Sequence, residues 1–227
     1  MIISHKYRYI FIKNRKVAGT SVEIYLNQYK NKEDVFTPIT AYHDNHSPQN
    51  YSGTFNLFRE LTNTRLKYAR TSISDYRKQK KFWNHMPGLL IKSRIDPEIW
   101  DSYYKFTIER NPWDKIISHY HWIARNKSGE FTLMDYLENK FYPKDFDKYT
   151  DLNGSIIIDK VLRYENLDDE LKTILHKLGI PFNGKLNIYA KSEYREDRSY
   201  HKFYDDMTRK IVADIFKEEI KEFNYKF

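Results

Sequence analysis

The chain of 227 residues contains no cysteine. That excludes a disulfide framework and a thiolate metal site. No stretch approaches the roughly 18 apolar residues that cross a bilayer. Lys6, Arg8 and Lys13 interrupt the apolar N-terminus, so it does not read as a signal peptide, and a cytoplasmic protein is expected. Glycine and proline number 7 each and are scattered, which leaves no linker-like tract. Internal repeats and low-complexity segments are absent as well. Against these absences stand 20 Tyr, 14 Phe and 4 Trp, far too many for a disordered tail. The length suffices for one sizeable core. Lys and Arg exceed Asp and Glu to give +8, which favours an anionic partner. Nucleic acid, a phosphorylated cofactor and an acidic polysaccharide all satisfy that charge.

Hydrophobic patterning predicts strands over Tyr7–Lys13, Tyr103–Glu109 and Ser155–Leu162, each short and rich in Ile, Phe or Tyr. Helices are expected over Thr20–Tyr29, Thr54–Tyr68, Phe82–Ile95, from Pro112 to about Arg125, Phe131–Lys140, Asp168–Leu178 and Phe203–Phe223. Between Asn31 and Gly53 the pattern breaks, and a long loop in a compact domain is usually functional. Strands alternating with helices favour an α/β fold with a largely parallel sheet. Ligands of such sheets bind at the carboxyl ends of the strands.

Two basic turns follow predicted strands. The first, Arg15-Lys16-Val17-Ala18-Gly19-Thr20-Ser21, leads into a helix. Helix N-termini present N–H groups and partial positive charge, and Gly19 lets the backbone approach a ligand closely. Lys16, Thr20 and Ser21 add donors suited to phosphate or sulfate oxygens. The lysine precedes the glycine, so this is not the Walker order. The second turn is Arg110-Asn111-Pro112-Trp113-Asp114, with Asn111 as N-cap and Pro112 in the first helical position. Ser118 lies seven residues beyond Asn111, about two helical turns, and so shares its face. Arg110 and Ser118 can meet one phosphate; an ordinary capped helix with a surface arginine fits the same letters.

Taken together the two turns resemble the sulfotransferases that use 3′-phosphoadenosine 5′-phosphosulfate. The first looks like that family's 5′-phosphosulfate loop, and the second, with Ser118, like its 3′-phosphate motif. Val161-Leu162-Arg163-Tyr164-Glu165-Asn166-Leu167 and the tail from Tyr194-Arg195 to Phe227 resemble segments of the branch that contains carbohydrate sulfotransferases and bacterial relatives. The resemblance spans nearly the whole chain in order and is weakest over Asn31–Lys81. It implies a P-loop NTPase-like, three-layer α/β/α fold around a mainly parallel sheet. It also implies one domain over 1–227, with 31–100 as an acceptor-side loop and helical insertion, and a bacterial or viral source.

The same resemblance implies transfer of a sulfuryl group to a hydroxyl or amine of a glycan or glycolipid, without a metal. Lys16 would stabilise the leaving phosphate, helped by Arg15 and by Ala18, Gly19, Thr20 and Ser21. His85 matches a catalytic histidine, with His43, His46 and Glu109 as rivals. Tyr164 is a candidate to stack on adenine. Lys191 and Arg195, in a late basic cluster with Arg198 and His201, would belong to a loop closing over the nucleotide. Two other classes stay open: a nucleotide kinase or NTPase, which needs Mg²⁺ and a carboxylate to hold it, and a basic nucleic-acid binder.

Overall fold

A computed structural model describes residues 1–39, 43–186 and 199–227. Among these described residues, five strands form one sheet in the order β3-β1-β2-β4-β5: β1 Ile2–Ser4, β2 Tyr9–Phe11, β3 Val35–Phe36, β4 Tyr104–Glu109 and β5 Lys160–Arg163. β2 pairs with β4 and β4 with β5 in parallel, whereas β1 is antiparallel to both β2 and β3. The sheet is therefore mixed rather than mainly parallel. The difference comes from β1, which the patterning missed. Ile2, Ile3 and Ser4, ahead of the turn His5–Arg8 with Arg8 at φ 53°, fold back as a hairpin on β2. The four other strands still run in one direction, so their carboxyl ends open on one edge.

Period-two alternation in β1 and β2 covers both faces of the sheet. Ile2, Tyr9 and Phe11 pack with Phe106, Ile108 and Leu162, with Val22 and Leu26 of helix α1 (Gly19–Asn27), and with Leu171 and Leu175 of helix α8 (Leu167–Lys177). Ile3, Ile10 and Ile12 on the other face pack with Leu90 and Ile91 of α4 (Gly88–Arg94) and Trp100 of α5 (Pro97–Ser102). A third cluster joins α6 (Pro112–Ala124), α7 (Leu133–Glu138), α9 (Asp206–Ile215) and α10 (Lys217–Phe223) through Ile116, Leu137, Val212 and Phe216.

Several expected elements are shorter than their patterns. The Thr54–Tyr68 helix is α2 (Leu57–Asn63) followed by a 3₁₀ turn at Leu66–Tyr68. Thr64 is extended, and its hydroxyl donates to Glu60 O at 2.8 Å, ending the helix. Helix α3 (Ala69–Arg77) comes next, and α4 begins only after Pro87. The Ser155–Leu162 strand is confined to β5, since Ile156 makes an isolated bridge to Thr150. The predicted Phe203–Phe223 helix is broken at Phe216 (φ −108°, ψ 28°), which is fully buried.

Arg94 anchors the α2–α4 region. Its guanidinium pairs with both oxygens of Glu60, lies 3.3 Å from Asp75, and donates to the carbonyls of Lys80 and Lys81 at 3.0 and 2.9 Å. It sits over Phe55 at 3.7 Å and Trp83 at 4.8 Å. Removing one partner of a buried ion pair leaves an uncompensated charge. Arg94→Met is expected to cost about 3–5 kcal/mol in urea unfolding, with Arg94→Lys falling between it and the parent because lysine lacks the planar fork. A loss below about 1 kcal/mol for Arg94→Met, within the range of an exposed pair, would show that this region is anchored elsewhere.

Candidate functional site

β2 and β4 lie side by side, and the chain leaves each at the same edge into a helix. After β2 the backbone is left-handed at Lys16 (φ 63°) and at Ala18 (φ 58°, ψ 15°), and α1 starts at Gly19. No side chain caps α1, and its first turn holds no acid. The first helical bond runs from Val22 N to Ala18 O at 3.2 Å, so the N–H groups of Gly19, Thr20 and Ser21 precede the ladder. Gly19 is required sterically: a Cβ there would come within 2.8 Å of Lys13 Cγ. Lys13 is buried and pairs with Glu23 of α1.

The second turn meets the first directly. Arg110 Nη1 donates to the carbonyl of Lys16 at 3.1 Å, across 94 positions of sequence. Its Nε bonds Asp114 at 2.8 Å, and its guanidinium lies 4.1 Å from the Tyr164 ring centre. Tyr164 is thus placed beside Arg110 by the turn that follows β5. Asn111 caps α6 through Trp113 N at 3.1 Å, as expected, and Pro112 opens that helix. Asp114 lies four residues from both Arg110 and Ser118 on that helix, so a carboxylate stands between the two proposed phosphate ligands.

Beneath both turns runs a buried ion network. Lys115 bonds Glu109 at 2.7 Å and lies 3.3 Å from Asp145. Asp145 also takes Lys148 at 2.6 Å and the Nε and backbone N of Arg15 at 3.0 and 2.8 Å. Arg15 is therefore turned onto Asp145 and fixes the first turn from below. Burial alone would raise the Asp145 pKa, but Lys148, Lys115 and Arg15 hold it well below the usual carboxylate range. Glu109, a rival for the base, is engaged by Lys115 and by Tyr149 at 3.0 Å. Glu219 of α10 borders the network, and burial and Glu109 raise its pKa to about 7.

Two histidines border the turns. His85 sits at φ 60°, and its Nδ1 lies 3.1 Å from Lys13 O. A carbonyl only accepts, so Nδ1 carries the proton and Nε2 the lone pair. Burial, Lys148 and Lys13 lower its pKa to about 3. His119 of α6 was not singled out by the sequence. Its Nδ1 contacts Tyr136 OH at 2.7 Å, and its ring stacks on Trp122 at 5.5 Å. Lys16 Nζ lies 5.9 Å from that indole. Burial, Lys16 and Arg15 lower the His119 pKa to about 4.

The remaining candidates lie apart or beyond description. His46 is buried against Phe36, and His43 accepts from Asn45 N at 3.2 Å. Among the described residues, no group of three or more His, Asp or Glu side chains is arranged to hold a metal. Lys191 and Arg195, with Tyr194 and Arg198, lie outside the described residues. Sequence reading missed Lys13, Lys115, His119, Asp145 and Lys148. Lys115 carries a legible signal, since it lies beside Ile116 and Ile117 on the buried face of α6. Asp145 and Lys148 sit at the start and end of a single 3₁₀ turn (Phe146–Lys148), too short for a periodicity to betray them.

The chain belongs to one family with an uncharacterized protein of Archaeoglobus fulgidus: the two are 30% identical over 118 residues, which is 49% of this chain and 98% of the archaeal protein. No family model and no solved structure matches the chain.

A histidine whose pKa is lower folded than unfolded binds fewer protons in the folded state, so stability falls as pH drops below about 6.5. For His119 that loss runs from about pH 6.5 down to about 4. Glu219 acts with the opposite sign, so the comparison must be made against a variant. His119→Gln is expected to flatten the parent's stability slope over that window by up to about 1.4 kcal/mol per pH unit. Parallel urea-unfolding curves for parent and variant between pH 4 and 6.5 would show that His119 does not titrate in this way.

Proposed function

We propose that the protein is a sulfotransferase, with 3′-phosphoadenosine 5′-phosphosulfate as donor and a glycan or glycolipid as acceptor. The observation that carries the reading is the bond from Arg110 to the Lys16 carbonyl, because it puts the two basic turns at one sheet edge. The residues there fit a doubly anionic nucleotide: a helix start with no side-chain cap and no acid in its first turn, and the cations Lys16 and Arg110. The fold is read as a P-loop NTPase-like three-layer one, a single domain over 1–227 with 31–100 on the acceptor side. Clusters on both sheet faces support that reading.

When bound, the donor supplies an activated sulfuryl group whose leaving group is a phosphate. The α1 N-terminus and Lys16 stabilise negative charge at that phosphate, while Arg110 and Ser118 hold the 3′-phosphate and Tyr164 flanks the base. Holding the 3′-phosphate requires Arg110 to exchange part of its Asp114 contact for the ligand. His85 Nε2 accepts the proton of the acceptor hydroxyl; its Nδ1, on Lys13 O, keeps the ring in that tautomer. Arg15 orients the loop through Asp145. A magnesium-dependent NTPase is less well supported, since Glu109 and Asp145 are engaged by lysines and Asp114 by Arg110.

Saturating 3′-phosphoadenosine 5′-phosphate at about 100 times Kd is expected to stabilise the fold by about 2.7 kcal/mol, a rise of several degrees in Tm. An unchanged Tm at millimolar ligand would sink the proposal. Lys16→Ala should cut turnover by about 100- to 1000-fold while leaving Tm in place. With the base depressed to about 3, kcat/KM should show no acidic limb near pH 6.5. A limb there would point to a histidine of ordinary pKa instead.

A further inference from the structure

The region from Thr54 to Lys81 carries eight Lys and Arg but only two carboxylates, Glu60 and Asp75. Both carboxylates are buried and meet the Arg94 guanidinium. Charge is thus sorted by depth, with the acids inside and Lys67, Arg70, Arg77, Lys78 and Lys80 exposed. Exposed large apolar side chains fall in the same segment of the chain. Phe58 is 79% and Leu66 89% accessible, joined by Leu61, Ile73 and Tyr76. Only Phe141, Leu152 and Met207 are comparably exposed elsewhere among the described residues. Arg70, Ile73, Ser74 and Arg77 of α3, with Lys78 just beyond its end, line one shallow groove, a spacing that keeps them on one helical face.

We propose that this face docks on an anionic membrane surface, with Phe58 and Leu66 entering the headgroup boundary and the lysines and arginines meeting acidic lipids. Amphipathic segments that lie in the interface combine these two features. A soluble polyanion would use the cations but leaves the exposed Phe and Leu unexplained. A second copy of this chain would set like charges against each other. No helix among the described residues is long and apolar enough to cross a membrane, so the contact is peripheral. The face is also tied to the candidate site. Lys67 and Tyr68 both hold Asp147, and Arg65 holds the carbonyl of Asp151. Asp147 is two residues from Asp145, which fixes Arg15, so the docking segment and the first basic turn are joined through one short stretch of chain.

The test is co-sedimentation of the full chain with phosphatidylcholine vesicles, with and without phosphatidylserine. Binding is expected to the mixed vesicles and to weaken with salt. Arg77→Gln combined with Lys78→Gln should lower partitioning about 30-fold, at roughly 1 kcal/mol per charge. Phe58→Ser combined with Leu66→Ser should lower it roughly tenfold or more with Tm unchanged, since both side chains are exposed. No retention of the parent on the mixed vesicles would overturn the proposal. So would undiminished retention of either double variant. Heparin binding shared equally by parent and Phe58→Ser/Leu66→Ser, without vesicle binding, would assign the face to a polyanion and overturn it. Vesicle-free dimerisation abolished by the same variants would overturn it in favour of a second copy.

Discussion

Lys115 is wholly buried between Glu109 and Asp145, and these three groups join parts of the chain that otherwise have no reason to meet. Glu109 ends β4, Lys115 stands in α6, and Asp145 precedes the short 3₁₀ turn that ends in Lys148. Through Asp145 the network reaches Arg15 and the turn after β2. Burying such charges is expensive, and their mutual attraction offsets the cost only when geometry and hydrogen bonds are complete. Here Asp145 has three cationic partners, and Glu109 receives Tyr149 and Lys115. The position of both basic turns depends on that completeness.

The network also sets the electrostatics of the edge. Burial, reinforced by Lys148 and Lys13 at His85 and by Lys16 and Arg15 at His119, lowers both imidazoles to about 3 and about 4 and keeps them neutral at physiological pH. A neutral imidazole with Nδ1 committed to a carbonyl retains a lone pair on Nε2, the form that accepts protons. The same logic operates at a second location with a different result. Around Arg94 the acids are consumed inside the α2–α4 region, which leaves its surface cationic and partly apolar.

Much of the site was legible because it is local. Gly19 after a basic turn and Asn111-Pro112 before a helix are short-range signals, and the structure places each where a helix begins. Less local features were not legible. β1 is three residues long, and only its pairing with β2 and β3 makes it a strand. The single amphipathic pattern of Phe203–Phe223 conceals a break at Phe216, imposed by burial of that ring. Pro87 could have been read as the start of α4, since the residue before a helix tolerates it and the helix interior does not.

By itself, the sequence determined an α/β chain, two anion-suited turns after strands, and an excess of positive charge. These follow from neighbouring residues and from composition. Only the tertiary structure decided that the two turns touch, that Arg15 faces Asp145, and that His119 lies near Lys16. It also decided that β1 makes the sheet mixed. Each of these depends on contacts between residues far apart in the chain. Such contacts are chosen by which charges can be neutralised and which apolar faces can be covered together, a balance that no window of sequence contains.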